Sequence, residues 1–135
     1  MSSNSTSFPY LDCDIRVKEN IEDYDLNNSY SIIKNITMRK FNYCQCYQNY
    51  CPTETFGIMA QELKTICPNL VEENHRIFDK ADGTEVEIPD FNVINTQLLH
   101  LHLIATVKSL LEKVETLESK VQTLESEIET LKQNV

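Results

Sequence analysis

The stretch Val107–Val135 reads VKSLLEKVETLESKVQTLESEIETLKQNV, and its apolar side chains recur alternately three and four positions apart. That spacing is the seam of a coiled coil. With Val107, Val114, Val121, Ile128 and Val135 at the a positions, Leu110, Leu117, Leu124 and Leu131 fall at d, and no polar residue interrupts them. One helix cannot bury such a stripe alone, so the stretch predicts self-association. The flanking charges predict its direction. Lys113 with Glu118, Lys120 with Glu125 and Glu127 with Lys132 are g-to-e pairs of opposite sign, and g meets e only when neighbouring helices run parallel and in register. β-branched residues at a with Leu at d favour two strands in isolated coiled coils, a preference that an upstream domain can override.

Working upstream, no helix breaker appears back to Thr96. The helix is therefore expected to occupy residues 96–135, about 60 Å at 1.5 Å per residue, with Asn92 or Asn95 as its cap. Asp82-Gly83 between Ile77-Phe78 and Val86–Ile88 predicts a β-hairpin, with Pro89 expected to end it. Phe56–Met59 reads as a short strand leading into a helix over Ala60–Cys67, with Leu63, Ile66 and Cys67 inward and Pro68 as the stop. Ser29 is a candidate cap for a helix through Ile32, Ile33 and Ile36, followed by an extended Met38–Cys44. The expected organisation is a disordered tail over 1–10, a small α+β head over 11–95, and the helix and coiled coil over 96–135.

Composition narrows the function. The chain of 135 residues carries 21 acidic and 12 basic residues, a formal charge of -9. This is the wrong sign for a phosphate-backbone binder, and no nucleic acid partner is expected. Residues 98–111 are the most apolar stretch, but they are too few for a membrane span and contain His100, His102 and Lys108. The first seven residues hold neither a basic start nor an apolar run, so the expected location is the cytoplasm, that of the host if the chain is viral. Five cysteines, an odd number, are then expected to be reduced.

Several residues could carry chemistry. Cys44, Cys46 and Cys51 with Cys67 or His75 contain enough ligand types for zinc, but no Cys-x-x-Cys pair is present, and small apolar packing is the simpler role. His100 and His102 point to different faces of the helix and cannot share a metal within one chain. His100 falls at an a position, where copies from each subunit would gather, either packed and neutral or around an anion or water. Asp12, Asp14, Glu19, Glu22, Asp23 and Asp25 read as a solvated face. Neither a phosphate loop nor a hydrolase triad is present, and no metal or other cofactor is expected.

Two segments resemble a known family. Cys13-Asp14-Ile15-Arg16-Val17-Lys18-Glu19-Asn20-Ile21 is similar to the Ser-Asp-x-Arg-x-Lys-x-Asn-Ile opening of the peptidase S74, or intramolecular chaperone auto-processing, domain. Phe56-Gly57-Ile58-Met59-Ala60-Gln61-Glu62-Leu63 resembles its Gly-x-Ile-Ala-Gln-Glu-Val segment. Pro68-Asn69-Leu70-Val71, the hairpin, and the Ala105–Leu110 stretch follow in the family's order. The resemblance implies a parallel trimer. Met38–Tyr43 and Asp90–Asn95 look closer to the branch of myelin regulatory factor, a membrane-tethered transcription factor, than to that of the phage tailspikes.

The resemblance also implies a site and a role. The family's nucleophilic Ser is matched by Cys13 and its Lys by Lys18, so the scissile bond would lie between Asp12 and Cys13. A thiol is intrinsically more nucleophilic than a hydroxyl, and a desolvated Lys could serve as its base. About a dozen residues precede the motif, where family members carry a passenger. The implied function is a stand-alone trimerisation module, of the kind a large DNA virus would carry, forming homotrimers or mixing with a host myelin-regulatory-factor-type domain and interfering with it. The alternative is a self-cleaving peptidase with a Cys13–Lys18 dyad.

Overall fold

In a computed structural model, which describes residues 10–44, 54–80 and 82–135, the chain forms a small mixed α+β head and one long helix. The first helix, α1 (Leu26–Asn35), is capped by Asp25, whose carboxylate accepts from the Asn27 N–H at 3.0 Å. Ser29, read from the sequence as the cap, instead lies inside the helix and is buried. Both residue types satisfy free N–H groups at a helix start, and Asp25 does so one turn earlier.

Strands β1 (Arg39–Phe41) and β2 (Thr55–Gly57) form an antiparallel ribbon, and α2 (Ala60–Ile66) follows directly. Gly57 sits over the Phe41 ring, where an added Cβ would lie 3.3 Å from a ring carbon. The ribbon is tied to α2 by Arg39, which donates twice to the Glu62 carboxylate at 2.6 and 3.1 Å. That pairing holds the Glu62 carboxyl below its ordinary range.

A 3-10 turn at Pro68–Leu70 leads into the hairpin of β3 (Val71–Asp79) and β4 (Glu85–Ile94). Its tip is the Asp82-Gly83 turn. Gly83 takes a φ of +89° and the Asp82 carboxylate accepts from both the N–H and the hydroxyl of Thr84. Pro89 does not end the hairpin. The pairing shifts between Asn74 and Arg76, opposite Pro89, and resumes to Ile94. A bulge tolerates the missing N–H that a regular ladder would not.

The last helix, α3, runs Thr96–Gln133, about 57 Å long. Of the two candidate caps, Asn95 holds it, its side chain accepting from the Leu98 N–H at 3.0 Å. Leu63 and Leu70 are fully buried where α2, the 3-10 turn and the hairpin meet, with Phe78 nearly so. α1 packs on the first part of α3, where Ala105, Thr106 and Ser109 are buried. No described helix is long and apolar enough to cross a membrane. The tail expected over 1–10 lies outside the described residues apart from Tyr10, and so do Cys46 and Cys51.

Candidate functional site: an exposed seam and the Cys13 turn

The apolar seam of α3 lies open along the chain. Its a and d residues from Val107 to Leu131 are each 45–66% exposed. In an isolated chain this is an unusually long contiguous apolar strip for solvent to face. The three g residues of the seam differ in their surroundings. Lys113 places its ammonium 3.2 Å from the centroid of the Tyr30 ring on α1, a cation–π contact, and Lys120 lines a surface pocket with Asn27 of α1. Lys113 therefore couples the head to the seam.

The contact of α1 with α3 is polar at its centre. Ser29 Oγ lies 2.7 Å from His102 Nδ1, and Tyr24 Oη lies 3.0 Å from Ser29 Oγ. Because Ser29 is buried, this relay satisfies a hydroxyl that would otherwise cost stability. It floors a cavity of about 250 Å³ whose walls include Leu98, Leu101 and Ala105. His102 thus serves the head, while His100, two residues earlier, is exposed on the seam side. The sequence carried no sign of the Ser29–His102 pair, whose members are 73 residues apart.

Cys13 and Lys18 flank a 3-10 turn at Ile15–Val17. Asp14 caps it, accepting from the Arg16 backbone N–H at 2.8 Å and from its guanidinium at 2.7 and 2.9 Å. The Arg16 side chain, then its backbone N–H, holds the Asp14 carboxyl below its usual range. Two family-matched residues are thereby given a structural role: Asp14 and Arg16 make the turn. Cys13 is a free, exposed thiol and Lys18 is exposed, and no hydrogen bond joins the two within the described residues of one chain. The acidic residues around them are all exposed.

The expectation that all five cysteines are reduced is corrected at Cys44, which is disulfide-bonded. Its partner is neither Cys13 nor Cys67, both of which are free. An odd count leaves one thiol over without forbidding a pair among the rest. A sulfur in a disulfide is no longer a thiolate donor, so Cys44 leaves the zinc set considered from the sequence. Among the described residues, no three His, Cys, Asp or Glu side chains come together as metal ligands.

None of the curated proteins compared with the chain matches it. A family model does: that of the chaperone of endosialidase, peptidase S74, matches residues 13–72, from the Cys13 turn through α1, the ribbon and α2 to the start of the hairpin. Over that segment the chain is similar to the peptidase S74, chaperone-of-endosialidase family.

Proposed function

We propose that the chain is a trimerisation module in which three copies of α3 pack in parallel along their seams. The observation that carries this reading is the open a/d strip, exposed from Val107 to Leu131 on a helix that extends beyond its head. Apolar area of that kind gains about 25 cal/mol for each Å² removed from water. The charge pattern supports parallel pairing, and the S74 family match supports three strands over two. Sedimentation equilibrium tests the number directly. The expected mass is three times the 15.7 kDa of the chain; a monomer at micromolar concentration overturns the reading, and a dimer assigns the seam to the intrinsic heptad preference.

The finer role rests on the resemblance of Met38–Tyr43 and Asp90–Asn95 to the myelin regulatory factor branch. In this reading the chain is viral and cytoplasmic, and enters trimers with a host processing domain of that type. Mixed trimers would then replace the factor's own homotrimers by mass action, impairing its release. Co-expression with a tagged host processing domain and pull-down is expected to recover the chain. Recovery of homotrimers alone removes the mechanism of interference.

A second reading is favoured by one observation, the free and exposed Cys13 thiol beside the family-matched turn. Here the Cys13 sulfur attacks the carbonyl of Asp12, the thiol proton passes by way of Lys18 to the leaving amine, which is that of Cys13 itself, and water hydrolyses the resulting thioester to free the Asp12 carboxylate and restore the thiol. Freshly made protein is then expected to lack residues 1–12 by intact mass, and Cys13→Ala or Lys18→Ala to retain them. An unchanged mass in the wild type rules this reading out.

A further inference from the structure

Around α3, the head end of the helix shows three parallel stripes. His100, Leu103, Val107 and Leu110 continue the seam upstream. One residue earlier in each turn, His102, Thr106 and Ser109 lie about 100° to one side, and this flank is covered by α1. One residue later, Leu101, Ile104, Lys108 and Leu111 lie about 100° to the other side. This second flank is open: Ile104 and Leu111 are 48% and 56% exposed, and Leu101, at 45%, edges the cavity beside α1. Beyond Glu112 the bare flank turns polar, with Glu115, Glu118, Gln122 and Glu125 in place of leucines, so the extra apolar surface exists only at the level of the head.

We infer that the bare flank of each α3 receives α1 of a neighbouring copy, so that every α1 bridges two long helices. The inference rests on the parallel three-fold reading above and adds the head to the interface. In three parallel helices related by a three-fold axis, the covered flank of one helix and the bare flank of the next line the same outer groove. α1 already occupies that groove from one side. Its Ile32, Ile33 and Ile36 are only half-buried within their own chain, leaving apolar surface for a second contact. Charge agrees with the placement. Lys108, in the middle of the bare stripe, makes no ion pair among the described residues, while Glu22, Asp23 and Asp25 stand immediately before α1. The stripe is also continuous with the seam, so the two surfaces are buried in one event.

The test uses the full chain with the photo-crosslinking amino acid p-benzoylphenylalanine at Asn27, an exposed position of α1 that borders Ser109, Glu112 and Lys113 of its own α3. Labelled chains of normal isotope content are mixed with unlabelled-probe chains grown in heavy nitrogen, refolded together, irradiated and digested. Hybrid-mass crosslinks into residues 101–111 are the expected result, together with a trimer by sedimentation. Crosslinks confined to one chain, with the trimer intact, overturn the bridging of helices and leave the coiled coil standing. A monomer overturns both. As a second measure, Ile104→Asp places a carboxylate in the groove but outside the a/d seam, and is expected to raise the concentration at which trimers dissociate at least about tenfold. An unchanged value would contradict burial of this flank.

Discussion

Replacing Leu117 and Leu124 together by Asp is expected to convert the proposed trimer to monomers while the head stays folded. Both side chains are more than half exposed in the single chain, 58% and 55%, and lie beyond the residues of α3 that α1 buries, Ala105, Thr106 and Ser109. Their truncation therefore removes nothing from the head. Asp in place of Leu lowers helix propensity by less than about 1 kcal/mol per residue, which a helix capped at Asn95 and anchored by the head can absorb. In the trimer the effect is of another order. Two positions in each of three chains lose burial worth about 1.5–3 kcal/mol apiece. Carboxylates then face one another across the axis, with no partner to offset their desolvation. Sedimentation of the variant is expected to give the mass of one chain, and its near-ultraviolet tyrosine signal to match that of diluted wild type. A variant that remains trimeric would show that the head alone holds the assembly.

What the sequence disclosed followed the range of the interactions involved. The long C-terminal helix, its cap at one of two candidate asparagines, α2 and the Asp82-Gly83 tip are each decided by residues within a few positions of one another, and all are present, α2 ending one residue early at Ile66. The cap of α1 was misplaced because Asp25 and Ser29 are both good cap residues four positions apart; only the packing against α3 shows that Ser29 faces inward. Pro89 reads as a terminator because a proline in a ladder costs a hydrogen bond. The bulge that absorbs it depends on the partner strand. Cys44 is a similar case, since pairing is a matter of approach in space rather than of count. At the Cys13 turn, Asp14, which reads in the sequence as part of a solvated acidic face, caps the turn by binding Arg16. The Ser29–His102–Tyr24 relay, joining residues far apart in the chain, lay beyond any periodicity.

Leu63→Ala is expected to have the largest effect on the head itself. Leu63 and Leu70 are the two large side chains fully buried among the described residues, both at the junction of α2, the 3-10 turn and the hairpin. Truncating a buried leucine costs about 2–5 kcal/mol, the upper part of the range applying where the surroundings cannot collapse into the space. Small domains are stable by only about 5–15 kcal/mol in total. A head with so few buried leucines has correspondingly little to spare. In urea, with a slope of about 1–3 kcal/mol per molar for small proteins, the midpoint of the tyrosine signal should fall by roughly 1 M or more. Leu63→Met, which nearly conserves volume, should shift it by much less. In the proposed trimer the coiled coil would draw its stability from the a/d seam, so helical circular dichroism beyond the first transition and a trimeric mass below it are expected to survive. A wild-type midpoint in Leu63→Ala would mean that the meeting of α2 with the hairpin is not what holds the head together.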